Sequence, residues 1–177
     1  MTLRVYCWKT RERSRLLDFD PSASVSREEL LRLLRARVAD TVPGSRLIAE
    51  DILGAESRID FVAVQPSGRL AVIVVSEAGC ELAAIALALA HRAWVEARVP
   101  DWLQFAPELG THAGAGVGAS VLCPSFSADA RAAAAALGES TLQLVRYHFV
   151  RNGTGLKILI EKALPPAVSA PDRKSVV

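Results

Sequence analysis

Cysteine is scarce in this chain and nowhere clustered. Cys7, Cys80 and Cys123 stand singly with no CxxC pair, which argues against both a zinc centre and a disulfide framework. Long apolar runs are missing as well. The most apolar helical stretch, Ala83 to Ala90, runs into His91-Arg92 and is too short to cross a bilayer. Arg4, Lys9 and Arg11 interrupt the start of the chain, so no signal peptide reads there, and the expected setting is the cytoplasm, away from membranes. Neither sign of charge dominates: 21 Lys and Arg against 19 Asp and Glu leave a net +2. That excludes a strong polyanion-binding signature while permitting a local basic patch. Several catalytic signatures are also absent. No GxSxG nucleophile elbow occurs. The stretch Gly110-Thr-His-Ala-Gly-Ala-Gly-Val-Gly-Ala-Ser120 lacks the GKS/T ending of a phosphate loop and the spacing of GxGxxG, and reads as a connector. His91, His112 and His148 fall on a helix, a loop and a strand with no ligand spacing between them. No internal repeat is visible.

What is present suits one soluble globular domain. The 177 residues are 51% hydrophobic and 23% charged, long enough for one real core and short for two. A hairpin is expected from Leu3 to Trp8 with Arg15 to Phe19, as an N-terminal extension over residues 1–23. Its basic side chains, Lys9, Arg11, Arg13 and Arg15, face only Glu12 in opposition, and they are the candidate nucleic-acid contacts. Ser24 or Ser26 caps a helix over Arg27 to Val38, with Glu28 and Glu29 favouring the helix dipole and leucines 30, 31, 33 and 34 at helical spacing. Strands follow at Arg46 to Glu50 and Ser57 to Val64, then a turn at Pro66-Ser-Gly68. Leu70 to Val75 is continuously apolar, as in a central strand buried on both faces. A helix from Glu81 to Arg98 ends before Pro100, with Trp94 and Trp102 as core residues. Residues 106 to 120 read as loop and Val121 restarts a strand. Ser127 caps an alanine-rich helix that stops at Gly138, and Leu142 to Val150 with Gly155 to Ile160 close a hairpin at Asn152-Gly153. Residues 165–177 read as a disordered tail. The order of elements predicts an α/β domain over residues 1–164, a central mixed sheet flanked by helices.

One pair of strands carries the chemistry. Ser57-Arg-Ile-Asp-Phe-Val-Ala-Val64 places a single acid, Asp60, on a strand, and Gly68-Arg-Leu-Ala-Val-Ile-Val-Val-Ser76 follows it across a turn. Val121-Leu-Cys-Pro-Ser-Phe-Ser127 and Leu144-Val-Arg-Tyr-His148 come later. In that order the segments resemble the PD-(D/E)xK, restriction-endonuclease-like nuclease superfamily, most of all its small bacterial branch, whose core reads GRIDLLAVD-x-x-G-x-L-VVIELK. The similarity spans residues 27 to 162. It implies a restriction-endonuclease-like core, with an acid at position 74 and a lysine at position 76.

This chain has Val74 and Ser76 there. Phosphodiester hydrolysis of this type needs a hard divalent ion held by carboxylates on adjacent strands, and a cation that orients water and stabilises the transition-state charge. Valine cannot ligate and serine carries no charge. The glutamine that often opens the following helix is missing too; Ala83, Ala84 and Ile85 stand near that place. The resemblance therefore implies a catalytically degenerate nuclease-like domain acting as a binding or regulatory module, with DNA or a protein as partner, no cofactor, and a homodimer compatible with it. The alternative is a DNA endonuclease dependent on Mg or Mn, in which Asp60, the residual metal ligand, is joined by a migrated acid, Glu77 or Glu81.

Overall fold

The computed structural model describes residues 18–19, 25–112, 114–152 and 155–163. Lys9, Arg11, Arg13, Arg15 and the expected tail at 165–177 lie outside them, as does the Leu3 to Trp8 side of the expected hairpin. The described end of that segment, β1 (Asp18–Phe19), pairs antiparallel with Arg151 and Val150.

Helix α1 (Arg27–Arg35) begins where the Ser26 hydroxyl accepts the Glu29 N–H at 3.2 Å, with Glu28 and Glu29 in its first turn. Leu30 and Leu34 bury against the sheet. The helix expected to reach Val38 is broken: Arg37 leaves helical geometry (φ −120°, ψ 12°) and a short α2 (Val38–Thr41) follows. The break leaves Val38 and Val42 buried in the same core as Leu34, so packing, rather than helix propensity, decides the path. Strand β2 (Arg46–Leu53) extends past Glu50, and β3 (Arg58–Val64) and β4 (Leu70–Val75) stand as expected.

The sheet is mixed. β2–β3 and β3–β4 are antiparallel; β4 runs parallel to β5 (Val117–Cys123), and β5 parallel to β6 (Leu142–Asn152), which turns back antiparallel into β7 (Gly155–Lys162). β7 occupies one edge of β6 from Val145 onward, so β1 lies on the edge β5 shares, beyond the point where β5 ends. Helix α3 (Glu81–Glu96) links the parallel strands β4 and β5, and α5 (Ala128–Leu137) links β5 and β6. The α/β class and the helix-flanked sheet are thus those the element order implied. Among the described residues no helix is long and apolar enough to cross a membrane.

Two cores follow from strand alternation. Leu70, Val72 and Val74 face α3 with Ala84, Ile85, Ala88, Val95 and Val121. Ala71, Ile73 and Val75 face α1 with Leu30, Leu34, Phe61, Leu122 and Tyr147. All six residues of β4 are buried, and the alanines of α3 let the helix lie close to it. Trp94 and Trp102 are half-buried at the margin of the α3-side core rather than inside it, and Trp94 stacks beneath Arg98 at 3.8 Å.

Two further boundaries differ from expectation. Pro100 falls in the first turn of a further helix, α4 (Val99–Phe105), where its missing N–H has no helical partner to lose. β5 begins at Val117, inside the supposed connector, because Leu70 to Val75 offers parallel pairing from Val117 onward. Gly118 fits there because the Arg69 guanidinium lies 3.3 Å from where a Cβ would stand. The β2 edge is blunted by a register shift between Leu47 and Ala49 and by Asp51 at φ 51°, devices that discourage pairing with another chain.

The β3–β4 turn gives a stability prediction. Gly68 holds φ 77°, and a Cβ there would run into the His112 ring, with Gly110 O at 3.2 Å; Gly79 holds φ 87° in open space. Gly79→Ala should cost about 1 kcal/mol, the conformational term alone, and Gly68→Ala clearly more, read as the lower chemical-denaturation midpoint of the two. Equal midpoints would show that the clash relaxes freely.

Candidate functional site

The β3–β4 ladder ends at Phe61 opposite Ile73. One step further, the register sets Asp60 opposite Val74, and there the strands part. The Asp60 side chain is 10% exposed. Its Oδ2 accepts the Val75 N–H at 2.7 Å and its Oδ1 accepts Arg27 Nη2 at 2.6 Å, while Arg27 Nη1 donates to Val75 O at 3.3 Å. One carboxylate and one guanidinium therefore clamp both polar groups of a single peptide residue at the end of β4.

The next residues are held in the same manner. The Ser76 N–H continues the parallel ladder to Leu122 O at 2.8 Å. Tyr147 donates its hydroxyl to Ser76 O at 3.2 Å, and Cys123 donates its thiol to Glu77 O at 3.1 Å. Burial pushes the Cys123 thiol up to about 11 and the Tyr147 hydroxyl up to about 12, so both stay protonated as donors. Three consecutive carbonyls, those of Val75, Ser76 and Glu77, thus accept from side chains of α1, β6 and β5.

The residues singled out from the sequence take these places. Val74 is 3% exposed and packs in the α3-side core. Ser76 is buried, with its hydroxyl on Glu77 O at 3.4 Å. Glu77 is exposed at the turn. Glu81 is buried, and its Oε1 accepts the Gly79 N–H at 3.1 Å at the start of α3. Among the described residues no three His, Cys, Asp or Glu side chains come together to hold a metal ion. Both Asp60 oxygens are engaged and positions 74 and 76 offer no carboxylate, so the donor set does not fit a divalent ion. Two cavities, of about 230 and about 160 Å³, lie elsewhere: one between α5 and β6–β7, the other around Arg69, Ser120 and Gln143.

Two residues were not singled out for the roles they have. Arg27 could have been noticed as a cation in the first turn of a helix, where the dipole disfavours it. His91 lies at helical spacing from Ala84, Ala88 and Val95, all on the buried face of α3. It is 3% exposed; its Nε2 meets Ser57 Oγ at 2.8 Å, and its buried Nδ1 has no partner among the described residues. His148, read as a sheet-surface residue, is half-buried and meets Glu161 at 3.1 Å; Arg146 meets the same carboxylate, and the two hold it below its ordinary range.

No protein-family model matches the sequence, and no curated protein matches it. Solved structures do. A repair endonuclease from Pyrococcus abyssi is similar at a TM-score of 0.49 with 14% identity, over 71% of this chain and 48% of that one. EndoMS in a complex with double-stranded DNA is similar at 0.47 with 15% identity, over 71% and 46%. SfsA of Pyrococcus furiosus in complex with Ca²⁺ is similar at 0.40 with 11% identity, over 84% and 76%. The chain spans about half the length of the two endonucleases.

His91 gives the site a pH signature. Burial lowers its pKa from 6.5, and the charge of Asp60 opposes this only in part. The unfolded chain takes a proton that the folded chain refuses, so the stability held above the unfolded value is lost as pH falls through about 6.5. His91→Gln keeps a group for Ser57 and should flatten the decline in melting temperature between pH 8 and pH 5. A slope identical to the parent would remove His91 as its source.

Proposed function

We propose that this chain is a catalytically degenerate PD-(D/E)xK nuclease-like domain that works as a binding or regulatory module. The observation that carries this reading is the state of β4's end. Where hydrolysis of this kind would need converging carboxylates and a lysine, Val74 packs into a core, Ser76 is neutral, and the adjoining carbonyls are tied off by Arg27, Tyr147 and Cys123. A metal-bound hydroxide needs ligands at that point to be generated near neutral pH, and these side chains supply hydrogen bonds to backbone instead.

Binding is assigned to the basic N-terminal segment, with nucleic acid as the first partner to test. Acids outnumber bases among the described residues, whereas the first 17 residues hold Arg4, Lys9, Arg11, Arg13 and Arg15 against Glu12 alone. β1 ties the chain just after that segment to Val150 and Arg151, several residues past the level of Val75 and at the same end of the sheet as Asp60.

No cleavage of plasmid or oligonucleotide DNA is expected with Mg²⁺ or Mn²⁺. Cleavage that vanishes in Asp60→Ala would reverse the reading in favour of a metal-dependent endonuclease using Glu77 or Glu81. Binding to DNA, measured by fluorescence anisotropy across salt concentrations, should weaken with salt. Changing Arg11, Arg13 or Arg15 to Ala should each reduce the log–log slope by about 0.9. Absence of any binding at low salt would point to a protein partner.

A further inference from the structure

A carboxylate as buried as Asp60 needs hydrogen bonds and a compensating charge to offset its desolvation. In this chain the charge comes from Arg27, whose own side chain is 54% exposed and reaches the acid from the edge of the site. Arg27 is the first residue of α1, where the helix dipole disfavours a cation. The contact is specific nonetheless: the two Nη atoms divide between Asp60 Oδ1 at 2.6 Å and Val75 O at 3.3 Å. A divalent ion bound through Asp60 would stand about 2.0–2.6 Å from a carboxylate oxygen, in the space the guanidinium holds and against its charge.

We propose that Arg27 is a tethered counter-ion standing where a divalent cation would have to sit, so that metal is excluded by an added cation as well as by the lost acid and lysine. This rests on the reading of the site as degenerate, and it deepens that reading. α1 is joined to the carboxyl end of the sheet by an internal ion pair, in the place where a metal would otherwise join carboxylates from neighbouring strands.

Arg27→Glu tests it by charge inversion. A second carboxylate then faces Asp60, and the site should acquire a need for a divalent cation. Saturating Mn²⁺ should raise the melting temperature of Arg27→Glu by on the order of 5 °C, leave the parent unmoved, and lose its effect when Asp60→Asn is added. A folded Arg27→Glu, checked by circular dichroism, with no Mn²⁺-dependent shift would overturn the proposal, as would a shift that survives Asp60→Asn. Should Arg27→Glu fail to fold, Arg27→Gln serves. Asp60→Asn should then be much less destabilising in the Arg27→Gln background than in the parent, and equal losses in both would overturn the counter-ion role. None of these measurements involves DNA or turnover. Asp60-dependent cleavage by the parent protein would sink the degenerate reading separately.

Discussion

The hydrogen bond from the Val75 N–H to Asp60 is the constraint on which the rest of this end of the molecule depends. β3 and β4 part after Phe61 and Ile73, and the buried N–H of Val75 needs an acceptor where they part. Leaving such a donor unsatisfied costs about 1–3 kcal/mol. Asp60 supplies the acceptor at 2.7 Å, but brings a charge into a place only 10% exposed. Arg27 answers the charge, and in doing so fixes the first turn of α1 over the sheet. Leu30 and Leu34, one and two turns further along, then meet Phe61, Ile73 and Tyr147 in the α1-side core. One backbone donor therefore leads, through one acid and one base, to the docking of a helix.

The same logic accounts for valine and serine at the end of β4. Two carboxylates facing each other across adjacent strands repel, and one is driven to take a proton unless a cation lies between them. With the single charge of Arg27 in place, one acid balances the site and a second would be unpaired. Val74 turns its side chain into the α3-side core, where an ionised group would be worse still. A lysine at position 76 would bring another cation near Arg27, and Ser76 brings none. On the proposed reading, the four residues make a set whose charges balance without a metal ion.

Much of this was legible in the sequence wherever local chemistry and tertiary packing agree. Leu70 to Val75 is apolar throughout because α3 covers one face and α1 the other. Ser127 and Gly138 delimit α5 through a cap and a stop that need no distant contact. The failures fall where packing overrides local preference. Leucine and arginine continue a helical pattern through Arg37, but the chain leaves helical geometry there and buries Val38 and Val42 in the core with Leu34. Glycine and alanine at 114–119 look like a connector, and become strand from Val117 because β4 presents an unpaired parallel edge. Pro100 reads as a helix stop and instead opens a second helix. Asp60 could be picked out as the one acid of its strand; that its partner would be the first residue of α1 could not, since no local signal links residues 27 and 60.

On the proposed reading, the charge of the chain is divided between two segments. The Asp60 end is neutralised within itself: Asp60 by Arg27, and the β4 carbonyls by donors from a phenol and a thiol whose burial keeps them uncharged. Glu77 and Glu28 stand exposed on neighbouring elements, beside the half-exposed Arg27 guanidinium. The surplus of positive charge belongs to the first 17 residues. On the proposed reading, attraction of a polyanion depends on that segment, and the sheet's carboxyl end serves as the rigid body to which it is tied through β1. A hydrolytic nuclease would need both properties at one place, because the ion that polarises the phosphate must sit where the phosphate is held. Here the charge that could attract the backbone and the acid that could hold the ion belong to different segments, and the cation already at the acid is one the chain carries itself.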